Sequence, residues 1–91
     1  MQNEYRIAIR KLLETSARRG QQYKLRHYQI QVDEVNDPSL VSLRLYDTRK
    51  YTDVVLVACG LSYAHELLPV QAFYFPTMQD ILQLQKKHEV S

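Results

Sequence analysis

The chain has 91 residues, 12 Lys and Arg against 10 Asp and Glu, a formal charge of +2, and 45% hydrophobic with 24% charged residues. That length suits one globular domain over residues 1–91, and this balance of apolar and charged residues argues against disorder. One Cys excludes an internal disulfide and any zinc site with two or more thiolates, and it fits a reducing compartment.

No address is legible. The stretch Met1 to Ile9 carries charges and lacks a long apolar core, so no secretory signal is expected. The longest apolar run, Val54 to Cys59, falls far short of the ~20 residues of a membrane helix. A soluble cytoplasmic protein without membrane association is the expectation.

Residues 3–18 predict a helix. Tyr5, Ala8, Ile9, Leu12, Leu13 and Ser16 recur at helical spacing, with Arg6, Arg10, Glu14 and Arg18 on the other side. Glu14 is placed to pair with Arg10 or Arg18. Gly20 is a natural stop. Residues 23–35 then predict a long strand, with Tyr28, Ile30 and Val32 alternating against Gln29, Gln31 and Asp33. Asn36-Asp37-Pro38-Ser39 is a turn signal.

A second strand is predicted at 40–46, with Val41, Leu43 and Leu45 inward. Asp47 to Lys50 would close a hairpin across which Tyr46 and Tyr51 pair. A third strand is predicted at 51–59. It has no polar parity after Asp53, so it is buried on both sides or waits for a partner. Residues 62–68 suggest a short helix ahead of Pro69, and 70–75 a fourth strand. There, alternation buries Phe73 and Phe75 or else Tyr74. Thr77 and Asp80 form a T-x-x-D capping box that opens a last helix, which ends on Lys86, Lys87 and His88.

The expected class is therefore α+β. The order is α-β-β-β-(β)-α, an antiparallel three- or four-stranded sheet with both helices on one face. The order resembles in outline the double-stranded-RNA-binding domain, although none of that family's motif residues is matched.

Two features bear on function. The first is the apolar third strand, whose free face would suit a protein partner or a homodimer. The second is charge. Residues 5–28 hold seven cations against Glu14 alone, a local +6 that leaves −4 for the remainder. Arg18, Arg19, Lys24 and Arg26 fall within nine residues, interleaved with Tyr23 and Tyr28. Such density suits the solvated end of a helix and an edge strand, an acidic protein, or phosphates with bases stacked on the tyrosines. Tyr63 is the exposed aromatic expected in the loop before Pro69.

Catalysis has thinner support. Cys59, Tyr63, His65 and Glu66 are the clustered candidates, and a turn at Gly60 would bring Cys59 to His65. Cys59 ends the most apolar run, however, where a Cys is ordinarily core. His27, His65 and His88 lie in three different segments, so no metal site is expected. Glycines at 20 and 60 alone provide no phosphate-cradling loop, and no cofactor is expected.

The leading expectation is a small non-enzymatic interaction or regulatory protein that binds a protein partner, with a homodimer as one form. The alternative is a nucleic-acid-binding domain using the basic 18–26 turn. A small Cys59/His65 enzyme comes last.

Overall fold

A computed structural model describes residues 3–61 and 66–88. Helix α1 (Asn3–Arg18) leads through a 3₁₀ turn at Gln22–Lys24 into strand β1 (Arg26–Gln29). A second 3₁₀ turn, Val32–Glu34, precedes α2 (Pro38–Tyr46), and a third, Arg49–Tyr51, runs into α3 (Thr52–Ala58). Strand β2 (Ala72–Phe75) and helix α4 (Met78–Lys87) follow.

The class is α+β, but the described residues do not form the expected three- or four-stranded sheet. Among the described residues β1 pairs antiparallel with β2 alone. The element order is α-β-α-α-β-α, so the outline likeness to the double-stranded-RNA-binding domain lapses. The expected strands at 40–46 and 51–59 are the helices α2 and α3. Of the long strand expected at 23–35, only Arg26–Gln29 forms a paired strand.

The two helices have different causes, a local cap for α2 and burial for α3. Asn36 to Ser39, read as a turn, is a helix start. Asp37 caps α2 by accepting from Leu40 N at 3.2 Å, and Pro38 opens the helix where a missing N–H costs nothing. Val41, Ser42, Leu45 and Tyr46 are buried while Leu43 and Arg44 are exposed, a helical pattern that period-2 alternation of Val41, Leu43 and Leu45 imitates. Helix α3 buries Val54, Val55, Leu56 and Val57 together. A helix apolar all round belongs in a core. β-branched propensity yields there to burial.

Both glycines stop helices in the same manner. Gly20 has φ 65° and Gly60 φ 76°. Gln21 N donates to Ser16 O and Gly20 N to Ala17 O; Leu61 N donates to Leu56 O and Gly60 N to Val57 O. Each set is a Schellman closure. The expected stop at Gly20 is thus observed, and Gly60 ends a helix rather than a strand.

The predicted helices are observed at both ends of the chain. In α1, Tyr5, Ile9 and Ser16 are buried and Ala8, Leu12 and Leu13 half-buried. The capping box of α4 forms, with Asp80 N donating to Thr77 Oγ1 at 3.1 Å and Thr77 N donating to Asp80 Oδ2 at 3.3 Å. No helix of the described residues is long and apolar enough to cross a membrane.

Helix α3 is the centre. It packs on α1, α2 and β2, while α4 lies against α1. In the ribbon Arg26 faces Phe75 and Tyr28 faces Phe73 on one side, and His27 faces Tyr74 on the other. Phe75 is fully buried and Phe73 packs on the core. Tyr74 instead meets the His27 ring, with centroids 4.9 Å apart. The Tyr46–Tyr51 pair also forms, edge to face at 5.7 Å, but between the end of α2 and a 3₁₀ turn.

Two polar groups lock the α2 region. Buried Ser42 donates its hydroxyl to Thr48 O at 2.6 Å and accepts from Tyr51 N at 3.1 Å. Glu34 is 0% exposed. Its Oε1 accepts from Gln31 N at 2.6 Å, and its Oε2 accepts from the Tyr28 hydroxyl and from Arg44 Nη1 at 2.9 Å. A second fork of Arg44 holds Asp33 at 2.8 Å. The Arg44 hydrogen bond keeps the Asp33 carboxyl below its usual range, and both carboxylates raise the Arg44 guanidinium.

Candidate functional site

Helix α1 carries the cations because its buried stripe leaves the other side to solvent. Ile7, Lys11, Glu14 and Arg18 follow one another at steps of four, three and four residues, which keeps them on one face. Lys11 and Arg18 are exposed, as are Arg10 and Arg19 beside them. After Gly20 the chain folds back through the 3₁₀ turn. There Lys24 Nζ lies 5.9 Å from the ring centre of Tyr23, which is 78% exposed.

The ion pairs among the described residues join Arg44 to Asp33 and Glu34, and Arg49 to Asp37. None involves Arg10, Lys11, Arg18, Arg19 or Lys24. Glu14 forms neither of its expected pairs, and Arg18 Nη2 instead reaches Thr15 Oγ1 at 3.5 Å. Helix α1 and its turn therefore hold five exposed cations that form no ion pair with a described carboxylate.

The structure brings some predicted residues together and separates others. Arg18, Arg19, Tyr23 and Lys24 share the end of α1 and its turn. Arg26 is used elsewhere, since its Nη1 donates to Leu45 O at 3.0 Å. That carbonyl lies in the last turn of α2, where orphan acceptors and the dipole favour a cation. Tyr63 lies outside the described residues, as does His65 of the Cys59/His65 pair. Cys59 is buried at the end of α3, and burial pushes its thiol up to about 12, the opposite of an activated nucleophile. The apolar residues offered as a free sheet face, Val54 to Val57, are internal, so that argument for a homodimer no longer holds.

Sequence reasoning missed one part of the surface. Packing of α4 on α1 puts Lys87 and His88 beside Glu4, Ile7, Ala8 and Lys11 around an open slot of about 300 Å³. Ile7, 45% exposed, is its largest apolar lining residue. An apolar residue outside the buried stripe of α1 was the available signal. The convergence of the two chain ends carries no signal in sequence. No family model, curated protein or solved structure matches the chain, and its site rests on its own geometry.

Proposed function

We propose that the protein is a small binding module whose ligand is an acidic segment of another protein, received on the outer face of α1 and the turn that follows it. The observation that supports this reading is the set of exposed cations Arg10, Lys11, Arg18, Arg19 and Lys24 with no ion-pair partner among the described residues. Cations so placed raise the local concentration of an anionic partner and steer its approach. Ile7, Glu4 and Glu14 interrupt the cationic face. That mixture suits a peptide, with its apolar and polar groups, better than a continuous phosphate backbone. Nucleic acid is the second reading, favoured by one observation: Tyr23 stands exposed beside Lys24, as a stacking platform does.

Fluorescence anisotropy separates the two readings. The full chain is titrated against a labelled Glu/Asp-rich peptide and against single- and double-stranded oligonucleotides at several salt concentrations. The expected result is peptide binding that weakens with salt and falls about tenfold or more in the Arg18→Glu, Arg19→Glu variant, which changes exposed residues only. Oligonucleotide binding with a steep salt slope and no peptide binding would transfer the function to nucleic acid. Unchanged peptide binding in the double variant would remove the α1 terminus from the site.

A further inference from the structure

We infer that the slot between α1 and the end of α4 takes one large apolar side chain of the acidic partner, with a flanking carboxylate of that partner on Lys11 and Lys87. The inference rests on the proposed function and adds where and how the partner's sequence is read.

Lys11, Lys87, Ile7, Ala8, Glu4 and His88 line the slot. Its apolar lining comes from Ile7, exposed outside the buried stripe of α1, and from half-buried Ala8. Its volume of about 300 Å³ is at the lower limit of small-ligand pockets, suited to a side chain rather than a folded element. Two cations line the slot with Ile7 and Ala8. Lys11 comes from the middle of α1 and Lys87 from the last turn of α4. Neither has a carboxylate within ion-pair distance among the described residues.

Charge complementarity selects the occupant. A purely apolar peptide would leave both ammonium groups without a counter-charge, and a purely acidic one would leave Ile7 uncovered. The slot also has polarity. Glu4 and Lys11 are seven residues apart on α1, about 10 Å along its axis. Glu4 repels acid at one end and Lys11 attracts it at the other, so the partner's carboxylate belongs at the Lys11 end. From there Lys11 to Arg18 is another seven residues along the same face. An acidic segment seated in the slot thus points towards Arg18 and Arg19, with a non-acidic residue where it passes Glu14.

The probe is a pair of labelled peptides of about 12 residues, identical in their Glu and Asp positions, one with a central Leu and the other with Ala. The full chain is expected to bind the Leu peptide about fivefold to tenfold more tightly. An open slot buries only part of the three extra carbons, each worth at most about fourfold. Ile7→Ser is expected to erase this preference. Ile7 lies outside the core cluster, so the variant should keep its thermal transition. Lys87→Glu is expected to weaken both peptides about tenfold and serves as a second variant on another helix.

Equal affinity for the two peptides, or a Leu preference that survives Ile7→Ser, would overturn the inference. If the Arg18→Glu, Arg19→Glu variant still weakens both peptides in that case, the cationic face stands and the slot fails. If no acidic peptide binds at all, both fail. A change in molecular size at two concentrations on mutating Ile7 or Lys87 would assign the slot to a second copy of the chain and equally overturn it.

Discussion

Arg44→Ala takes away the cation that pairs with the buried carboxylate of Glu34. Glu34 would keep its bonds from Gln31 N and the Tyr28 hydroxyl but lose the charge-assisted bond at 2.9 Å. Breaking a fully buried pair costs about 3–5 kcal/mol, because the remaining charge stays desolvated. The Arg44 side chain is 40% exposed, so water can enter the vacated place. We therefore expect about 2–3 kcal/mol, with most of the loss at Glu34. The Asp33 arm lies at the surface and contributes little.

For a domain of this size the loss corresponds to a fall in Tm of roughly 10–20 °C. Urea unfolding followed by circular dichroism measures it, with an unchanged m-value expected. The double variant Glu34→Gln, Arg44→Ala should be less unstable than the sum of its single variants, with a coupling of about 1–3 kcal/mol. Arg49→Ala is the internal control. Its pair with Asp37 is longer, at 3.4 Å, and exposed on both sides, so we expect about 0.5 kcal/mol or less. If Arg44→Ala costs no more than Arg49→Ala, the burial argument for Glu34 is refuted.

Ser42→Ala strands a buried donor at Tyr51 and an acceptor at Thr48, which should cost about 1–3 kcal/mol in the same urea assay; a loss below about 0.5 kcal/mol would mean that water replaces the hydroxyl. At Gly60 nothing stands within 4 Å of an added Cβ, so L-Ala should cost about 1 kcal/mol through its positive φ alone. D-Ala introduced by chemical synthesis should restore that loss, and equal losses for both would point to a steric cause. Alkaline pH should destabilise the fold. Burial raises the Cys59 thiol to about 12, and the phenols of Tyr5, Tyr28 and Tyr46 are raised chiefly by burial too. Groups held protonated in the fold stabilise it fully below their unfolded values, and that contribution drains away as pH rises through the folded ones. Stability should thus begin to fall near about pH 9, with Cys59→Ala delaying the onset towards about pH 10; an unaltered profile in that variant would contradict the assignment. Cys59 should also alkylate far more slowly in the native chain than in urea, and equal rates would place the thiol at the surface.

The ends of the chain were legible because α1 and α4 have what sequence can carry: a polar face, a regular stripe and a stop or cap. The middle was not. Over 40–46, Val41, Leu43 and Leu45 satisfy period 2, while Val41, Ser42, Leu45 and Tyr46 satisfy the helix. The deciding facts are that Ser42 is buried and Leu43 exposed, and both depend on tertiary contacts. Val54 to Val57 have no polar side and so no period at all. Gly60 offered the one local clue, since it punctuates its apolar run as Gly20 does α1.

The same misreading extends to the site. Sequence groups Arg26 with the free cations because the carbonyl it holds, Leu45 O, becomes an orphan acceptor only once 40–46 is a helix. The exposed cations of α1 are readable from the charge count. Their meeting with Lys87 and His88 depends on how α4 lies on α1, and no local pattern encodes that.

Helix α3 also bears on the order in which the chain can fold. Seven residues are too few to nucleate a helix in water, and its Val-rich run resists helix formation when alone. Its helix therefore depends on packing against α1, α2 and β2. Helix α1, more than twice as long and amphipathic, can be partly helical earlier but lacks anything to dock on until that packing forms. The cationic face therefore acquires a fixed orientation in the same cooperative step that buries Val54 to Val57. A nascent chain released before β2 has emerged would expose an apolar stretch that reads as a strand, and that stretch is where misassembly would begin.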